Sequence, residues 1–179
     1  LPGYKPLQRM VYSSLFPANN SEFGNFRKAL DKLSLNDSAF SFEPISSDAL
    51  GFGFTCGFLG LLHMEIVKER LEREFDLELV STAPNVTYRA VKTDGEVVEV
   101  HSPSAMPEAG SIEELQEPIV RAEMLVPQES IGTVMKLSDE HRAQYVDTRY
   151  ISAQRVILVY DFPYAEVIYD FFDKLKSAT

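Results

Sequence analysis

One order of apolar patterns occurs twice in this chain, and few folds accept it. Residues 10 to 15 alternate from side to side before Pro17 and Asn19-Asn20-Ser21 break the run, which predicts a strand and a turn. Phe23, Phe26, Leu30 and Leu33 then recur at helical spacing, with Ser21 placed to cap the helix and Asn36-Asp37-Ser38 to end it. Phe40 and Phe42 alternate with Ser41 and Glu43 as in a half-buried strand. Ser46-Ser47-Asp48 turns into Leu50, Phe52, Phe54 and Cys56 on one side, with Gly51, Gly53 and Gly57 on the other. A helix is predicted over residues 58 to 75, with Leu59, Leu62, Ile66, Val67 and Leu71 inward. Residues 77 to 82 read as a strand that Pro84 interrupts, and residues 86 to 93 pair with 96 to 101 across an Asp94-Gly95 turn.

After residues 102 to 117, rich in Pro and Glu and without a basic side chain, the order starts again. Val120, Ala122, Met124 and Val126 share a strand face, and Ile131, Val134 and Met135 a helix face. Residues 145 to 151 and 156 to 162 form two strands around Ser152-Ala153-Gln154. Residues 165 to 176 close as a helix, with Ile168, Phe171, Phe172 and Leu175 inward. The reading is α+β: two ferredoxin-like, split βαβ antiparallel-sheet domains, residues 1–101 and 118–179, joined by a linker at 102–117. The second domain lacks its last strand, so the first strand of its sheet is expected to expose an edge open to strand addition or self-association.

Charge narrows the partners. Lys and Arg number 10 against 11 Asp and Glu in residues 1 to 92, and 7 against 16 in residues 93 to 179. Phosphate repels such a surface, so any RNA contact is expected to be local. Arg142, Arg149 and Arg155, set among the acidic residues of the second domain, are the candidate phosphate contacts. The first 20 residues resemble no signal peptide and no apolar run reaches the length of a membrane span, so a cytoplasmic chain is expected.

Catalytic chemistry finds little support. The glycines around Phe52 and Phe54 nearly spell a dinucleotide fingerprint, but the third comes one position late and the first two sit in a strand. No GxxxxGK[ST] run is present to hold a triphosphate. His63 lies on the apolar arc of its helix, far in sequence from His101 and His141, and Cys56 is alone. No catalytic, cofactor-binding or metal residue is assigned. An acylphosphatase-like hydrolase would need an Arg in the loop after the first strand, which Pro127-Gln128-Glu129-Ser130 does not offer. A regulatory ligand-binding module of the same fold has no motif in its favour.

The runs Lys32-Leu33-Ser34-Leu35-Asn36-Asp37, Ala49-Leu50-Gly51-Phe52-Gly53-Phe54 and Cys56-Gly57-Phe58-Leu59-Gly60-Leu61-Leu62-His63-Met64-Glu65-Ile66 closely resemble the elongation factor 4 (LepA) family. So does the closing Ala165-Glu166-Val167-Ile168-Tyr169-Asp170-Phe171-Phe172. The resemblance implies the factor's third and fifth-type domains, without its GTPase domain or its basic C-terminal domain. It implies a parent that hydrolyses GTP with magnesium, meets rRNA and ribosomal proteins at the factor site, reaches tRNA through the C-terminal domain, and acts in back-translocation or ribosome maturation. Such factors are cytoplasmic and associate peripherally with the inner membrane. Thr55 stands where the family usually has Arg, and Ala143 where it usually has Gly. The Gly is expected to act as a helix C-cap.

Overall fold

The computed structural model describes residues 9–168 and 170–179. The start of the first predicted domain, residues 1 to 8, and Tyr169 within the predicted closing helix lie outside them. The chain divides into two compact units between Leu115 and Gln116.

In the first unit the alternating run forms strand β1 (Val11–Pro17) and the helical stripe forms α1 (Phe23–Asn36). Asn19, rather than Ser21, caps the entry, its side chain accepting from the Ser21 amide in a 3-10 turn ahead of the helix. Strands β2 (Ser41–Ser47) and β3 (Gly51–Phe58) make a hairpin, and helix α2 (Leu61–Glu74) leads to β4 (Leu79–Ser81) and β5 (Asn85–Val86). The order is β2-β3-β1-β4, with β5 also on β1, and every pairing with β1 is antiparallel. Phe26, Leu30 and Leu33 of α1, Val67 and Leu71 of α2, and Leu15, Phe54, Cys56 and Phe58 of the sheet form the core. Each large side chain so buried contributes about 1.5–3 kcal/mol.

The glycines of β3 serve the opposite sheet face. A Cβ at Gly53 would run into the Leu15 carbonyl and the Phe16 ring, and one at Gly57 into Tyr12, Ser41 and Arg9. At both positions an aromatic ring comes within the space a Cβ would take, the close approach that a missing side chain permits.

Helix α2 departs from the sequence reading. Val67 and Leu71 are buried, but Leu62 is 71% and Ile66 47% exposed. Leu62 and Ile66 widen the apolar arc beyond the strip one sheet can cover, Val67 and Leu71 take that strip, and Leu59 lies ahead of the helix, which starts at Leu61.

The predicted hairpin forms as β6 (Tyr88–Lys92) and β7 (Val97–Val100), with Gly95 at φ +85 in its turn. The segment read as a linker is more structured than its composition suggested. Within it, β8 (Ile112–Gln116) joins β6 in a three-stranded sheet of order β7-β6-β8. The open edge of β6 supplies the hydrogen-bonding partner that sequence composition does not reveal.

The second unit contains β9 (Ile119–Pro127), α3 (Ile131–Glu140), β10 (Gln144–Tyr150) and β11 (Arg155–Pro163). The predicted closing helix is in two pieces, α4 (Tyr164–Val167) and α5 (Phe171–Ala178). The sheet order is β10-β11-β9, and among the described residues β9 pairs only with β11. Met124, Val126, Val134, Val156, Leu158, Phe162, Val167 and Phe171 fill its core, whereas Phe172 is 55% exposed. Both units have the split βαβ arrangement, and among the described residues no strand flanks β9 on the side away from β11.

Candidate functional site

The three arginines that sequence reading singled out have different surroundings. Arg142 ends α3 with φ +56, a left-handed residue immediately before Ala143. The chain thus makes its turn at Arg142, one position ahead of the expected glycine cap, and Ala143 packs against the core. The Arg142 guanidinium donates to Glu166 at 2.8 Å and Glu117 at 2.9 Å. Those two hydrogen bonds hold its pKa above the usual arginine value. Arg149, on the open face of β10, pairs with Glu123 of β9 and with Asp147 at 3.5 Å. Beside it Arg121 makes a bidentate pair with Asp161 at 2.8 and 2.9 Å. A guanidinium engaged by carboxylates on its donor edge has little left for phosphate.

Arg155 has no carboxylate partner within ion-pair distance among the described residues. It lines a cleft of about 650 Å³ with Pro127, Gln128, Glu129, Ala153 and Gln154. The loop after β9, which carries no Arg of its own, therefore meets one from the β10–β11 turn. Glu129 shares the cleft and sets a carboxylate against an incoming anion.

A group of cations that the sequence reading passed over lies on α1. Arg27, Lys28 and Lys32 are all exposed on its solvent side. None forms an ion pair with a described residue, although Asp31 lies among them. The signal was present in the sequence as three cations within six residues, but it was masked by the near neutrality of residues 1 to 92.

His63 is a positioning group. Its Nδ1 accepts from the Leu59 amide at 3.0 Å, which leaves the proton on Nε2 to donate to Asp37 at 2.6 Å. Asp37 caps the end of α1, so this histidine ties the start of α2 to the end of α1. Burial raises the Asp37 carboxyl, but the hydrogen bond and charge of His63 with the amides of Ala39 and Phe40 bring it below its ordinary value. Burial pushes the Cys56 thiol far up, away from the nucleophilic thiolate. His101 stacks on Tyr12 with ring centroids 3.9 Å apart, and burial lowers its pKa against the opposing pull of Glu99 and Glu43. Thr55, at the position expected to carry Arg, meets Ser14 Oγ through its own hydroxyl at 3.1 Å on the open face of the sheet.

Among the described residues no group of three or more His, Cys, Asp or Glu is arranged to hold a metal, and no helix is long and apolar enough to cross a membrane.

Residues 114–179 match the family described as Elongation factor G C-terminus. The whole chain is similar to elongation factor 4 of Desulforudis audaxviator, 55% identical over 179 residues, and of Ruminiclostridium cellulolyticum, 54% identical over 179 residues. Elongation factor 4 of Gloeobacter violaceus is 54% identical over 177 residues, 99% of this chain. The chain spans about 30% of the length of these relatives. A crystal structure of a Thermus thermophilus protein superposes with a TM-score of 0.50 at 15% identity, covering 99% of this chain and 40% of that one, a likeness of fold.

Proposed function

Because the chain belongs to the elongation factor 4 family by a match along its whole length, we propose that it is the ribosome-facing middle portion of a translational GTPase. Its task is to bind and to transmit. GTP and magnesium are handled by the remaining length of such a factor, tRNA is reached by its C-terminal domain, and the site of action is the cytoplasm, with peripheral contact to the inner membrane. These two units meet rRNA and ribosomal proteins at the factor site, and the step served is back-translocation of tRNA or the maturation of the ribosome.

The observation that carries this reading is the end-to-end identity of 54–55% to proteins of one name. The described residues offer surfaces and buried cores, the histidines are engaged in structural contacts, and the lone thiol is inert. Sedimentation of the 179-residue chain with 70S ribosomes tests the proposal. Saturable co-sedimentation, competed by an intact elongation factor 4 and unaccompanied by binding of a fluorescent GTP analogue, is the expected result. A chain that stays in the supernatant at low salt, or that binds the nucleotide analogue with competition by GTP, would overturn it.

A further inference from the structure

Helices α1 and α2 cover the same sheet face, yet they treat their charges in opposite ways. On α2 both arginines are compensated one turn away, Arg70 by Glu74 at 2.9 Å and Arg73 by Glu69 at 3.2 Å, and Lys68 donates to the Ser81 hydroxyl at 3.2 Å. On α1 Lys28 and Lys32 stand four residues apart, an arrangement in which like charges repel and weaken a helix. Arg27 lies beside them, and Asp31 makes no ion pair with any of the three among the described residues.

The helix gains nothing from these charges through its dipole. Arg27 and Lys28 lie in its first half, and its last turn carries no basic residue. Nor does packing explain them, because the buried stripe is Phe26, Ala29, Leu30 and Leu33 on the other side. Gly24, one turn before Lys28, leaves the helix surface open, with nothing within 4 Å of the place where a Cβ would stand.

We propose that the solvent face of α1, through Arg27, Lys28 and Lys32, is a docking surface for the phosphodiester backbone of RNA. The inference rests on the ribosome-facing reading and deepens it by naming the surface. It also moves the phosphate contact away from Arg142 and Arg149, whose donors carboxylates already occupy. A chain of net charge -10 is repelled by RNA at long range, so a local uncompensated cation group decides which face approaches. Contacts of this kind fix position without reading sequence, because they address phosphate rather than base edges. An acidic protein surface is the competing partner, and salt dependence separates the two through the counterions that nucleic acid releases.

The test compares the 179-residue chain with its R27Q/K28Q/K32Q variant, in binding to 70S ribosomes and to a labelled 20-nucleotide RNA, from 50 to 300 mM salt. Gln keeps the helix propensity of the replaced side chains. Equal thermal midpoints establish that both fold, and K136Q/K176Q serves as a control for generic loss of charge. The expected result is a loss of at least tenfold in ribosome affinity at 100 mM salt. The slope of log affinity against log salt should fall by about 2 units, from about 0.7–0.9 per phosphate lost. The control should leave the slope in place.

If the chain binds ribosomes and the triple variant keeps both affinity and slope, the α1 surface is wrong while the ribosome reading stands. If affinity drops with an unchanged slope, the partner at α1 is protein and the RNA assignment fails. If the wild-type chain ignores ribosomes, the broader reading fails. The α1 proposal then survives only if labelled RNA binds in a salt-dependent way that the triple substitution abolishes.

Discussion

The two units run through the same strand, helix, strand, strand, helix order, but they close their sheets differently. In the first, β1 is a central strand, flanked by β3 on one side and by β4 and β5 on the other. In the second the equivalent strand, β9, bonds only to β11 among the described residues, over the nine positions from Ile119 to Pro127. The shared centre, a hairpin laid against the first strand and covered by helices, follows from local patterns that both copies possess. The flank of the first strand depends on one further element, and it decides whether a row of backbone groups is paired or free. Among the described residues the first unit thus presents a completed sheet and uncompensated helix cations, and the second an open edge and three arginines, Arg121, Arg142 and Arg149, held by carboxylates.

The largest effects should come from the cores and should stay within one unit. Leu158→Ala removes a fully buried side chain from the smaller cluster and is expected to cost about 2–5 kcal/mol. Leu30→Ala should act on the first unit with a similar cost. Calorimetry or residue-resolved NMR should show each change confined to its own transition. A single transition that moves as a whole for both variants would mean that the units do not unfold separately.

Amide exchange addresses the open edge directly. Those amides of β9 that point away from β11 should exchange about 100-fold faster than the amides of β1, since one strand side lacks a partner. Equal protection would mean that the edge is covered, and the contrast between the units would vanish.

Glycine substitutions sharpen the difference between a strand glycine and a helix glycine. Gly53→Ala drives a Cβ into the backbone carbonyl of Leu15 and should destabilise the first unit by about 1–3 kcal/mol. Gly132→Ala in α3 meets nothing within 4 Å and should stabilise the second unit by about 0.5–1 kcal/mol, because Ala restricts the unfolded chain. Chemical denaturation of the two variants reads both signs, and a loss at Gly132 would mean that this helix start is more crowded than its surroundings indicate.

A smaller effect separates the units by pH. Burial lowers the His101 pKa, so near the ordinary histidine value of about 6.5 the unfolded chain holds more protons than the folded one. Stability from this group is full above that value and declines as pH falls through it, while Glu99 and Glu43 soften the decline. The melting midpoint of the first unit should therefore drop between pH 7 and 5, and H101Q should flatten the profile. Asp37, with a lowered pKa, acts in a separate window, its contribution present above the unfolded carboxyl value near 4 and lost as pH falls below it. The smallest effect is expected at Arg149→Gln, a change of no more than about 0.5 kcal/mol, because its ion pairs with Glu123 and Asp147 are half exposed and screened.

The sequence by itself determined the repeated order, the turns and the sheet faces. Val120, Ala122, Met124 and Val126 repeat at two residues and all face the core side of β9, and Phe23 to Leu33 repeat at the helical interval and cover β1 and β3. Such periods are local, so they can be read without knowing what lies opposite. The resemblance to one family was legible for the same reason, in consecutive residues.

Tertiary structure alone decided which of several apolar side chains a helix buries and which of several cations a surface leaves free. Leu62 and Ile66 are as apolar as Val67 and Leu71, but the sheet covers only one strip of α2, and only the assembled core fixes where that strip runs. Residues 112 to 116 became a strand because β6 had an edge to share. Arg142 and Arg149 differ from Lys28 and Lys32 in what stands beside them: Glu117, Glu166 and Glu123 approach from 24 to 26 residues away along the chain. A charge acts on its partners through distances of a few ångströms, and folding, not sequence proximity, sets those distances.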